Sequence, residues 1–147
     1  MPKLTSHSKT GLFLMEMILS LLILSLAGAA CIQVFASAYK SRVKARELNH
    51  IQELTTTVGE ILEGSDGEPR TILSLLPDGT EENGVLKYYY NSSWQACLPA
   101  ESCYQMHLVL SASTGEKGGI LSFYDSAENE LYKLSIRFPQ IGEGAAA

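Results

Sequence analysis

Between Met17 and Tyr39 the chain carries no formally charged residue and no proline, a run of 39 − 17 + 1 = 23 positions. Basic side chains are scarce after residue 46, where five Lys and Arg face fifteen acids, giving −10. The first 46 residues hold Lys3, Lys9, Lys40, Arg42, Lys44 and Arg46 against Glu16 alone, giving +5. This asymmetry excludes a uniformly soluble globule and a wholly disordered chain. It also disfavours a nucleic-acid binder, because the only dense basic cluster adjoins an apolar run instead of occupying a folded face. Three scattered cysteines give no metal-ligand set, and no cofactor is implied. His7, His50 and His107 are not grouped with a nucleophile and an orienting acid, so the pattern is not that of an enzyme. The acids Asp66, Glu68, Asp78, Glu81 and Glu82 do not reproduce a calcium loop. At 147 residues the chain has room for about one domain.

What is present is a membrane-length helix. About 20 apolar residues span the hydrocarbon core, whereas a cleaved secretory signal has a shorter apolar centre of about 7 to 15. Ala27-Gly28-Ala29-Ala30 resembles a signal-peptidase site, but the sequence stays apolar from Cys31 to Ala38 and then meets Lys40, Arg42, Lys44 and Arg46. Those four read as a stop at a lipid surface, where long cationic stems snorkel. Charge counting alone would keep the residues after the span in the cytoplasm. Cys97 and Cys103, which enclose five residues, are compatible with a small disulfide loop in an oxidising compartment, and equally with two reduced, half-buried thiols.

Glu16 interrupts the apolar run, and a charge at a bilayer centre costs about 2.5–3.5 kcal/mol. Either it lies near the interface and reaches water, or something supplies a cation. Lys9-Thr10-Gly11-Leu12-Phe13-Leu14-Met15-Glu16 followed by an apolar helix resembles the class III leader of type IV prepilins and type II secretion pseudopilins. The resemblance implies cleavage by a prepilin peptidase between Gly11 and Leu12, N-methylation of Leu12, and an assembly salt bridge made by Glu16 as the fifth mature residue. Leu12 departs from the commoner Phe or Met there, and many pilins carry a proline that this span lacks. Cleavage would expose an amine with a pKa near 8, cationic at neutral pH and one helical turn from Glu16 or beside the Glu16 of a neighbour. A residue without Cβ before the cut suits an extended backbone and discourages helix there. The implied partners are other pilin or pseudopilin subunits, the peptidase, a membrane assembly platform with its ATPase, and the lipid bilayer. The family's topology puts the N-terminus in the cytoplasm and the head outside, against the basic-residue count. The rival is an uncleaved single-pass signalling or cell-division protein with a coiled-coil helix.

Leu48, Ile51, Leu54, Val58, Ile61 and Leu62 recur at steps of three and four, which predicts that the helix continues past the lipid to about Gly64. From Leu12 to Glu63 it would hold 52 residues and extend about 78 Å at 1.5 Å per residue. The expected fold is α+β and pilin-like: a long helix packed on a small antiparallel sheet. The expected divisions are a leader at 1–11, a spanning helix at 12–39, its amphipathic continuation at 40–64, a head at 65–141 and a fraying tail at 142–147. About four strands are expected in the head, at 86–90, 104–112, 119–125 and 131–138, with turns at 77–79 and 82–84 and an apolar piece at 72–76. Strict alternation puts Tyr132, Leu134, Ile136 and Phe138 toward the core and Leu131, Lys133, Ser135 and Arg137 toward solvent.

Overall fold

Leu, Ile, Met and Ala dominate the early residues, and with no proline to remove a backbone donor, one helix, α1, propagates from His7 to Gly64. It stops at the glycine that the sequence marks. The computed structural model describes residues 7–140, with side chains from residue 9. The leader's first six residues and the tail at 142–147 lie outside the described part. The chain forms two compact units, Met1–Arg46 and Glu47–Ala147.

In the first unit every side chain described is exposed, including Leu12, Phe13, Ile18, Leu24 and Phe35. An apolar rod exposed all round is what lipid or neighbouring helices would cover. Among the described residues α1 is the one helix long and apolar enough to cross a membrane, by length and composition.

The second unit is a helix plus a five-stranded antiparallel sheet in the order β1 to β5, namely Thr80–Glu82, Val85–Tyr90, Tyr104–Ser113, Glu116–Asp125 and Glu130–Pro139. Ile51, Val58 and Leu62 of α1 are buried with Leu86, Tyr88 and Tyr90 of β2, Met106 and Leu108 of β3, Leu121 and Phe123 of β4, and Ile136 of β5. The helical period of three to four and the strand period of two thus supply the two walls of one core. A second helix, α2 (Pro69–Leu75), adds fully buried Ile72.

Four details depart from the sequence expectations. The strand count is five, because Thr80–Glu82 pairs with Val85–Lys87 across Asn83 and Gly84, both at positive φ, the backbone of a tight two-residue hairpin. A three-residue acidic strand has no alternation to betray it. The apolar piece at 72–76 forms the end of α2 and its C-cap, Leu76, and Pro69 occupies the helix's first turn, where a missing N–H costs nothing. The connection read at 113–118 shrinks to Thr114-Gly115, since Ser113 already pairs with Glu116. Finally, Leu131 packs against the core, because the β4–β5 register slips between Phe123 and Tyr124. Phe123 faces Tyr132 and Tyr124 faces Glu130, so Leu131 is the extra residue of a bulge that strict alternation misassigns.

Candidate functional site

The residues singled out by the sequence lie on the first turns of α1. Leu12 and Glu16 are four apart on one helix face, Leu12 is 68% exposed, and Glu16 is exposed too. The Glu16 carboxylate has no ion pair among the described residues, while its backbone carbonyl accepts a hydrogen bond from Ser20 Oγ at 2.9 Å. In the uncut chain the Leu12 nitrogen is a peptide nitrogen and carries no charge, so the nearest basic side chain before Glu16 is Lys9.

One expectation fails here. Gly11 does not interrupt the helix, which runs through the Gly11–Leu12 bond. A single internal glycine costs only about 1 kcal/mol relative to alanine, too little to break a helix with good formers on its C-terminal side. Beyond its own helix backbone, nothing lies within 4 Å of where a Gly11 Cβ would stand. A protease acting there would need to unwind about one turn.

Within the second unit, Cys97 and Cys103 flank the single turn Pro99–Glu101, and both are free and half-buried. Their amides donate to successive carbonyls of β2, Cys97 to Tyr89 at 3.0 Å and Cys103 to Tyr90 at 2.8 Å. Burial, with smaller contributions from Glu101 and Cys103, pushes the Cys97 thiol up, which disfavours the reactive thiolate.

The aromatic residues form a packing cluster. Tyr88 and Tyr90 are buried, and the Tyr88 hydroxyl donates to the Leu76 carbonyl at 3.2 Å. Trp94 stacks on His50 of α1, with centroids 5.5 Å apart, and on Tyr104 of β3 at 4.2 Å. His50 therefore anchors a loop. Trp94 sits at φ 60, an uncommon conformation for a bulky residue, held by Asn91, whose side chain accepts from the Ser93 and Gln95 amides.

Sequence reasoning missed Lys117. Its ammonium donates to the carbonyls of Glu63, at 2.7 Å, and Ser65, closing the carboxyl end of α1 where backbone acceptors lack helical partners. A lysine beside a glycine pair gives no local sign of this, because the contact spans more than fifty residues.

The described residues contain no cluster of three or more His, Cys, Asp or Glu able to hold a metal. No family model, curated protein or solved structure matches the chain.

Proposed function

We propose that this chain is a prepilin-like structural subunit, cut after Gly11, methylated on Leu12 and assembled into a type IV pilus, competence pilus or type II secretion pseudopilus. The observation that supports it best is Glu16: a carboxylate with no ion pair among the described residues, on an apolar, exposed helix, one turn beyond a Gly–Leu bond whose cleavage creates an amine. Proteolysis supplies the missing cation. Within a subunit the new amine can neutralise Glu16, and between stacked subunits it fixes an axial register, so the cost of a lone charge in lipid becomes a reward for assembly. Under this reading the head lies outside the cytoplasm and the work is mechanical, with sibling subunits, peptidase, platform and ATPase as partners.

The unbroken helix through Gly11 favours a second reading, an uncut single-pass anchor whose helix pairs as a coiled coil. The two separate cleanly. Co-expression with a prepilin peptidase followed by N-terminal mass analysis is expected to give a chain starting at methylated Leu12. An intact Met1, or a cut near Ala30, refutes the first reading. Glu16→Ala should insert normally but enter filaments at least tenfold less well, and normal incorporation would place Glu16 at the interface instead.

A further inference from the structure

The sheet of the second unit ends in two unlike edges. β1 is three residues long, whereas β5 runs for ten and, among the described residues, pairs with β4 alone. Past the bulge at Leu131 its register is regular, from Tyr132 opposite Phe123 to Pro139 opposite Glu116. Every second residue of such a strand turns its N–H and C=O away from the sheet, a row of backbone groups that a further strand can meet. The two flanks of the edge differ. Tyr132, paired with buried Phe123, lies on the α1 side, where it is 39% exposed and lines a cleft of about 250 Å³ with Leu48, Ile51, Gln52, Thr55 and Thr56. The Thr55 and Thr56 hydroxyls donate to the carbonyls of Ile51 and Gln52, at 2.7 and 2.9 Å, so those donors are already satisfied. The opposite face carries Lys133 and Arg137, both exposed and without an ion pair among the described residues, against Glu130 at the strand's start.

We infer that β5 accepts an added strand: an extended segment of another protein in which apolar side chains alternate with Asp or Glu. Main-chain hydrogen bonds to the open edge hold it, and the two flanks select its side chains. With a period of two, the side chains of one face enter the Tyr132 cleft while those of the other lie beside Lys133 and Arg137. The charges decide against a second copy of the chain. Another β5 brings its own Lys133 and Arg137 to the same edge, and like charges on facing strands repel. Another β1 has the right sign but the wrong pattern. Its central residue, Glu81, pairs with buried Leu86 and so would set a carboxylate at the apolar cleft, while Glu82 already accepts from Lys87 Nζ at 2.6 Å. A bulge and bases on an edge strand bar self-pairing, and here the same devices admit an acidic segment. The inference goes beyond the proposed function and holds whether or not the chain is cut after Gly11.

The test uses the full-length chain in detergent micelles and a capped, fluorescent peptide that alternates valine with glutamate over about seven residues, a common strand length. Two companion peptides carry lysine in place of glutamate, or the original side chains on N-methylated amides. Fluorescence anisotropy should show the glutamate peptide binding at least tenfold more tightly than either companion, and hydrogen exchange should slow in β5 but not in β1. K133E/R137E should lower its affinity at least fivefold and reverse the preference in favour of the lysine peptide. Gln52→Phe, at an exposed position, fills the cleft and should also lower the affinity at least fivefold. Failure of the glutamate peptide to bind, equal binding of the lysine or N-methylated peptide, indifference to K133E/R137E or to Gln52→Phe, or protection at β1 instead of β5 would each overturn the inference. So would crosslinks through β5 between mixed isotopically heavy and light copies without peptide, which give the edge to a second copy. Protection of β5 by added phosphatidylglycerol alone would overturn it as well, by assigning the bases to a lipid surface.

Discussion

Replacing Lys117 with methionine keeps most of the aliphatic stem but removes the ammonium that closes α1. Two carbonyls, those of Glu63 and Ser65, lose a charged donor. Hydrogen bonds to charged groups contribute about 1.5–3 kcal/mol each when sheltered. Lys117 is only half-buried and water can replace it in part, so the pair together should contribute about 1–2 kcal/mol. For a unit of this size that corresponds to a fall in melting temperature of about 4–16 °C. The assay is urea and thermal unfolding of the full chain in detergent micelles, followed by fluorescence of Trp94, the sole tryptophan, which lies in the core-side cluster with His50 and Tyr104. Hydrogen exchange provides a local readout, with faster exchange expected in the last turn of α1 and in the loop at 65–68. Lys117→Arg should recover at least half of the loss. A Lys117→Met loss below about 0.5 kcal/mol with unchanged exchange at 61–68 would refute the clamp, because mere loss of a surface charge gives that result.

Two further outcomes follow from the sheet. Gly118 lies in β4, where an added Cβ would stand 2.1 Å from the backbone oxygen of Ile136, so Gly118→Ala must push β5 aside and should destabilise by about 1–3 kcal/mol; Gly59→Ala, with nothing within 4 Å, should gain about 0.5–1 kcal/mol in the same melts, and equal melts for the two would contradict the packing. His107 Nε2 is buried without a hydrogen-bond partner among the described residues, and burial, then Lys87, holds the imidazole below its ordinary range. A depressed folded pKa makes its contribution fully present above about pH 6.5 and lost as pH falls through the folded value. Removing the group should flatten that dependence, so His107→Leu should stabilise by about 0.5–1 kcal/mol and unfold with a shallower pH slope between pH 7.5 and 5, whereas an unchanged slope would show that another group titrates there.

Local periodicity explains which parts of the fold were readable. The stripe Ile51, Leu54, Val58 and Leu62 and the strands around Tyr88, Met106, Phe123 and Ile136 announce themselves because burial on one face writes a period of three to four or of two into the chain. What stayed hidden depends on contacts distant in sequence. The Leu131 bulge is a property of the β4 partner, the Lys117 clamp joins β4 to the end of α1, and His50 becomes an anchor only because Trp94 folds back onto it. At the amino terminus the reverse holds. Gly11, Leu12 and Glu16 are conspicuous in sequence, yet among the described residues the Glu16 carboxylate has no ion pair, as expected for a group whose counterpart would arise from cleavage or from a neighbour.

That contrast links the two charge problems of α1. Four bases follow the span and only Lys3 and Lys9 precede it, a distribution that would hold residues after the span inside. Under the proposed topology both the basic cluster at 40–46 and Glu16 are misplaced in a lone subunit, and the proposed Glu16 pair would satisfy only the second. They differ in surroundings, and salt separates them. At 0.1 M ionic strength exposed charges are screened beyond about 10 Å, whereas a pair within hydrocarbon is screened far less. Raising the salt should therefore weaken whatever the exposed bases at 40–46 bind while leaving a contact carried by Glu16 and the Leu12 amine nearly intact. If filaments of the processed chain come apart in 1 M salt, the Glu16 pair is not what holds the copies together, and the proposed assembly contact fails.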